Sequence, residues 1–393
     1  MFYRSKKLKI LISFISFFVI VTEEIFENFI KKKWITRYNS VKVKNIKALF
    51  SCNIKNHSIL IFEPNPYHYE CTPGYSKYFL DLGYNIDIIM QKIGEDAFCL
   101  FKDNEKIRLF IYDNLDKIIE NSGKLSLVFH NYNYLLIEST DIDKKEFYKK
   151  LGFFKMNNSI FVFHNIFYIK EMGIPYYYYQ NKIWSLAKFS NTLQVNPHYF
   201  GNIKLKQKNN KTRFFITSTL GRNNDYLISA AEKLKKRNFE FEIIVIGWSK
   251  SFSLENIPEN LKNNFIFKYK VSYYELYQSV DSSDFIIINL DPNNNNDIEY
   301  KNLKATGSAQ LSYGFLKPAI IDKNFASIYN MTMENSFIYD NSSFYKVIYD
   351  AININNSEYK KKQNNLMKLS NSIYNISLNN LKQTLKNISY IRK

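Results

Sequence analysis

Apolar residues fall along this chain in short continuous runs separated by amphipathic stretches. That spacing is expected where strands buried on both faces alternate with helices that cover them. In the first half, 58–62, 85–90, 127–131 and 161–165 read as such strands. In the second half, 213–218, 242–247 and 284–289 do. Between them, 75–83 predicts a helix ended by Gly83. Tyr226, Leu227, Ala230, Ala231 and Leu234 recur at helical spacing before Lys235-Lys236-Arg237, and Tyr273, Leu276, Tyr277 and Val280 predict a further short helix. Leu366, Leu369, Ile373 and Leu381 make the tail helical. The repeated strand-helix-strand order predicts an α/β chain with parallel sheets.

One segment breaks the pattern. Arg4, Lys6, Lys7 and Lys9 precede an apolar run over 10–21. At ~1.5 Å rise per residue, that run falls short of a bilayer core of roughly 30 Å. Thr22-Glu23-Glu24 stands where small residues for signal cleavage are expected. An interfacial anchor, a packed helix and a secretory signal all fit; the first predicts association with the inner face of the cytoplasmic membrane. The expected organisation is a basic and apolar membrane-associating segment over 1–50, a Rossmann-like acceptor domain over 56–203, a Rossmann-like donor domain over 210–350, and helices over 355–393 that brace the two.

At 393 residues, with 46% hydrophobic and 17% aromatic content, the chain is long and apolar enough for two cores. The formal charge of +18 raises nucleic acid as a partner. The basic clusters at 31–33, 235–237 and 360–362 are scattered, however, and no nucleic-acid motif accompanies them. An anionic membrane surface, worth roughly 1 kcal/mol per nearby cation, suits the charge better. Cys52, Cys71 and Cys99 have neither the number nor the spacing of a disulfide framework or zinc site, which points to a reduced, cytoplasmic compartment.

The most informative chemistry is the turn Thr306-Gly307-Ser308, which follows Lys304 and opens a helix-like run closed by Gly314. Amides at a helix start, two hydroxyls and an ammonium form a receptor for a diphosphate, read here as that of a nucleotide diphosphate-sugar. Gly221-Arg222 leaves the strand at 213–218 on the same side of the expected sheet. In the first half, the loop after 58–62 carries His68, Glu70 and Gly74, placed to meet an acceptor at the carboxyl ends of the strands. His130 and His164 each close an apolar run and are candidate catalytic imidazoles, alongside Arg222 and Lys304. Asp141-Ile142-Asp143 reads as a helix start, so no metal or other cofactor is expected.

Over residues 56–350 the architecture resembles glycosyltransferases of the GT-B fold, and most nearly the retaining group 1, or family four. The Gly221-Arg222 loop, the crossover 196–201, and Gly314-Phe315-Leu316-Lys317-Pro318-Ala319-Ile320 carry the resemblance. It implies two Rossmann-like domains facing across a cleft, with Gly221, Arg222 and a lysine, Lys304 or Lys301, holding the donor diphosphate. It also implies retention at the anomeric carbon. The chain departs from the pattern in two places. Two extra residues separate Gly314 from Lys317, and Gln310-Leu311 stands where a donor-binding glutamate is usual. Glu299 and Asp297 are the nearest carboxylates to replace it.

The expected function is sugar transfer from a nucleotide diphosphate-sugar to a glycan or glycolipid acceptor in bacterial envelope polysaccharide or lipopolysaccharide synthesis. Arg222, Lys304 and the amides of 306–308 would stabilise the departing diphosphate. The alternatives are a sugar-nucleotide epimerase of the same fold and a non-catalytic carbohydrate-binding or scaffold protein.

Overall fold

The computed structural model describes residues 41–101, 104–174, 180–217, 222, 224–247, 252–340 and 342–391. The apolar run at 10–21 and Gly221 lie outside the described residues. Among those described, no helix is long and apolar enough to cross a membrane.

Two wholly parallel sheets organise the chain. The first contains β1 (Lys42–Asn45), β2 (Ser58–Phe62), β3 (Asn85–Gln91), β4 (Ile107–Tyr112), β5 (Tyr134–Ile137), β6 (Ser159–Phe163), β7 (Ile183–Ser185) and β8 (Leu193–Gln194), in the order β1-β4-β3-β2-β5-β6-β7-β8. The second contains β9 (Thr212–Thr217), β10 (Phe241–Ile246), β11 (Phe265–Lys268), β12 (Phe285–Ile288), β13 (Ala319–Asp322) and β14 (Phe337–Tyr339), in the order β11-β10-β9-β12-β13-β14. With β1 added at the β4 edge, the strand order turns back between β2 and β5 in the first sheet, and between β9 and β12 in the second. A crevice opens at such a reversal, at the carboxyl ends of the strands.

The continuous apolar runs have the predicted cause. Ile59, Ile61, Ile88 and Leu136 join one core, while Leu60, Phe62, Ile89 and Leu135 join another on the opposite face. Phe214 and Ile287 likewise separate from Phe215 and Ile288. Alternate side chains therefore leave the sheet in opposite directions, and both faces are dry.

Helices α1 (Thr72–Asp81), α2 (Ser122–His130), α3 (Asp225–Lys236), α4 (Tyr273–Asp281), α5 (Gly307–Phe315), α6 (Phe344–Asn353) and α7 (Asn356–Ile391) cover the sheets and join them. One expectation fails here: the strand at 127–131 is the second half of α2. Leu125 and Phe129, one helical turn apart, face the core, while Leu127 is 73% exposed. A doubly covered strand would bury all three. The strand lies at β5 instead.

The connection from the first sheet to the second threads between α1 and α5. A Cβ on Gly74 of α1 would lie 2.3 Å from the Pro197 carbonyl oxygen, and one on Gly314 of α5 would lie 2.6 Å from that of His198. Gly74 therefore serves close packing against this connection. Gly314 does not end its helix; Leu316, at φ 55°, does. Tyr78 donates to the Asn196 carbonyl at 2.7 Å, and the Asn196 amide donates to Ser377 of α7 at 2.9 Å. The His198 ring lies 3.1 Å from the Ser370 carbonyl, and burial pushes its pKa down to about 4, so it is neutral.

Helix α7 contributes to both halves. Leu381, Leu385 and Ile388 complete the first core, and Leu366 and Ile373 enter one in the second. Trp184 Nε1 donates to Thr384 at 3.0 Å, and Tyr359 donates to the Asp284 carbonyl at 2.9 Å.

Adding one methyl at Gly74 forces backbone to move, so Gly74→Ala is expected to cost about 1–3 kcal/mol. Gly123→Ala, with nothing within 4 Å of the added carbon, is the control and should leave stability level or slightly raised. Equal midpoints for the two variants in denaturant unfolding would contradict the packing role of Gly74.

Candidate functional site

Three neighbouring strands of the first sheet each end in a polar residue: Glu63 follows β2, Glu138 follows β5 and His164 follows β6. The ladder continues through them, with Glu63 N donating to the Ile89 carbonyl and Glu138 N to the Phe62 carbonyl, both at 3.0 Å. Their side chains are thus fixed at the reversal of strand order. Glu63 and Glu138 are fully buried. Glu63 accepts from Asn65 N at 2.5 Å and from the Ser139 hydroxyl at 2.6 Å; that hydroxyl lies 3.3 Å from His164 Nε2. Neither oxygen of Glu138 has a well-aligned donor.

Burial dominates the electrostatics. It pushes Glu63 up to about 7, against the pull of Ser139, His68 and Asn65. Burial and the neighbouring Glu63 hold Glu138 well above the usual carboxylate range. His164 is driven well below the usual imidazole range by burial and then by His68. At the cleft surface, the His68 ring stacks on that of His164, with centroids 3.8 Å apart and planes inclined 17°. His68 Nδ1 lies 3.8 Å from Glu70 Oε1. Burial opposes charge on His68, but the hydrogen bond and charge of Glu70, with Glu63 and Asp141, outweigh it and raise its pKa.

In the second sheet, Thr306 caps α5 by accepting from Ser308 N at 3.4 Å, and Thr306 N donates to the Tyr329 hydroxyl at 3.2 Å. The Ser308 hydroxyl lies 3.0 Å from that of Thr217 at the end of β9. Two of the three turn amides are therefore engaged by the fold. Gly307 is exposed between buried Thr306 and Ser308. Arg222 is buried, with Nε 3.3 Å from Asp297 Oδ1, and Asp297 Oδ2 accepts from Asp291 N at 3.0 Å. Lys304 pairs with Glu299. The Tyr300 ring sits under both cations, 5.7 Å from the Arg222 guanidinium and 6.0 Å from Lys304 Nζ. Lys301 turns elsewhere, with its Nζ 5.6 Å from the Phe325 ring.

The two sets meet. Asn165, next to His164, forms an antiparallel bridge with Lys304, and Ile166 N donates to the Leu303 carbonyl at 2.9 Å. Cys71 Sγ at the start of α1 lies 3.9 Å from Gln310 Oε1 in α5. His68, Glu70 and His164 are brought to this seam, where Asn165 and Cys71, the neighbours of His164 and Glu70, reach Lys304 and Gln310. His130 is not. It closes α2 ahead of β5, at the amino ends of the strands, and its exposed ring bonds the Ser126 carbonyl at 2.7 Å. Placing it at a strand end mistook the last turns of α2 for a strand, and a catalytic position does not follow. Glu63, Glu138 and Tyr300 belong to no motif that marks them as site residues in the sequence. An acid directly after four apolar residues, as in both 59–63 and 134–138, was the available signal. Among the described residues, no group of three or more His, Cys, Asp or Glu is arranged to hold a metal ion.

Two parallel sheets whose strand-order reversals face one another across a seam define the GT-B fold. The chain is similar in structure to HepE from Anabaena in complex with UDP and glucose, at a TM-score of 0.52 and 11% identity, covering 84% of this chain and 100% of that one. A glycosyltransferase from Rickettsia africae is also similar, at 0.48 and 13%, covering 85% and 99%. No protein-family model matches the chain, and no curated protein does.

Burial that raises the folded pKa of Glu63 above its unfolded value favours the protonated fold. Its contribution is present below pH ~4.5 and is lost as pH rises through about 7. Glu63→Gln, which keeps the shape without the charge, is therefore expected to stabilise the protein at pH 8, by on the order of 3 kcal/mol, and to leave it level at pH 4. Thermal midpoints at the two pH values check this; a gain confined to pH 4 would refute it.

Proposed function

We propose that this chain is a glycosyltransferase that moves a sugar from a nucleotide diphosphate-sugar to a glycan or lipid-linked acceptor, without a metal and with retention at the anomeric carbon. The observation that carries the reading is the arrangement at the seam. Two cations packed on one tyrosine ring stand beside a capped helix start and oppose a cluster of acids and imidazoles. Transfer builds negative charge on the leaving diphosphate, and donors fixed beforehand act more on that charge than on the ground state. Arg222, Lys304 and the exposed Gly307 would take the diphosphate, with Glu299 and Asp297 orienting the two cations. His68 and Glu70 would meet the acceptor. In this reading 56–203 is the acceptor half, 210–350 the donor half, and 355–393 the brace. The fold of HepE, seen with UDP and glucose, supports a nucleotide-sugar ligand. The charge of +18 supports work at the anionic inner face of the cytoplasmic membrane, as envelope polysaccharide or lipopolysaccharide synthesis requires.

A second reading has its own support. Glu63, Glu138, His68 and His164 together form an acid-base cluster of the kind an epimerase needs to move a proton on the sugar itself. An epimerase converts donor alone, whereas a transferase consumes donor only with an acceptor.

Arg222→Ala is expected to lower turnover by about 10²-fold or more, the loss typical of one fixed donor to a developing anion. It also strands Asp297, so its unfolding midpoint is measured beside its turnover. Activity within a fewfold of the parent, in a variant that remains folded, would remove Arg222 from the site.

A further inference from the structure

The stacked imidazoles at the seam have one feature that neither acceptor binding nor the diphosphate site explains. They lie face to face at 3.8 Å with Glu70 beside only one of them. Two charged rings at that separation repel by about 4 kcal/mol at an effective dielectric near 20. The pair therefore holds at most one positive charge. Glu70 assigns that charge to His68, while His164 is left as the neutral ring beneath it. The nearby carboxyls favour this assignment: Glu70 on its own loop first, then Glu63 at the end of β2, in so far as it is ionised, and Asp141 after β5. Burial and the stacked ring of His164, from the end of β6, oppose it.

Position gives the charge a use. Asn165 ties the end of β6 to Lys304, and Cys71 ties the start of α1 to Gln310 in the first turns of α5. In the second half, Arg222 and Lys304 each already face a carboxylate. We infer that the His68–His164 stack supplies one positive charge to the donor diphosphate from the opposite side of the cleft, with His68 as the charged ring and Glu70 as its positioning residue. This rests on the nucleotide-sugar reading of the site and deepens it. The donor is then gripped from both halves, and the first half's grip depends on pH.

A bound anion favours protonated His68, so binding takes up a proton above the pKa of His68 and weakens as pH rises, by up to tenfold per pH unit for one proton. The probes are UDP-glucose, GDP-glucose and ADP-glucose. Their diphosphates are esterified at both ends and lack the ionisation near pH 6 of a terminal phosphate. Titration calorimetry of the full chain at pH 7.5, in two buffers of different ionisation heat, is expected to show net proton uptake. The affinity should fall about tenfold or more between pH 6.5 and 8.5. His68→Gln should abolish both effects, and Glu70→Gln should move the pH of half-maximal uptake downward. Binding with no buffer-dependent heat overturns the inference and leaves the function standing, as does uptake that persists in His68→Gln. Failure of all three sugar nucleotides to bind overturns both. Should His68→Gln fail to fold, the parent and Glu70→Gln decide.

Discussion

The close approach of two helices to one stretch of extended chain governs the rest of this structure. Residues 196–201 run between α1 and α5 in a gap that admits no side chain from Gly74 or Gly314. Because α1 begins just after the first sheet's acidic loop and α5 begins at the phosphate-like turn, fixing both helices on one strand of chain fixes the two sheet ends against each other. The hydrogen bonds around Asn196 and the neutral ring of His198 hold that stretch in place. Contacts such as that of Cys71 with Gln310 are consequences of this clamp.

Within the seam, charge is managed by two different means. In the second half each cation has a carboxylate and a shared aromatic ring, so Arg222 can be buried without an uncompensated charge. In the first half, burial favours the protonated forms of Glu63 and Glu138. The result is one side with fixed positive charge and one whose charge follows its protons.

Much of the frame was legible because its cause is local. Strands such as β9 announce themselves by a continuous apolar run, buried over Phe214, Phe215 and Ile216, and α3 by the period of Leu227, Ala230, Ala231 and Leu234. The mistake at 127–131 has the same root, since a helix with one buried face and a strand with two look alike over five apolar residues. The turn at 306–308 was legible as a capped helix start. What could not be read was pairing at a distance. Arg222 meets Asp297 across 75 residues, and Glu63 lies beside Ser139 across 76. Only the sheet order brings such residues together, so the acid cluster and the ring shared by Arg222 and Lys304 had no trace in the local pattern beyond an acid after an apolar run.

Helix α7 gives the molecule an order of assembly in time. The first sheet's core is closed by Leu381, Leu385 and Ile388, and the indole of Trp184 finds its partner 200 residues further on. During synthesis the first half therefore emerges with an open apolar trough and an unmet indole, and it stays so while the whole second sheet is made. At roughly 5–20 residues per second, that interval lasts on the order of ten seconds or more. The nascent first half is a client for whatever shields apolar surface near the ribosome, and the last turns of α7 act as the latch that ends that dependence.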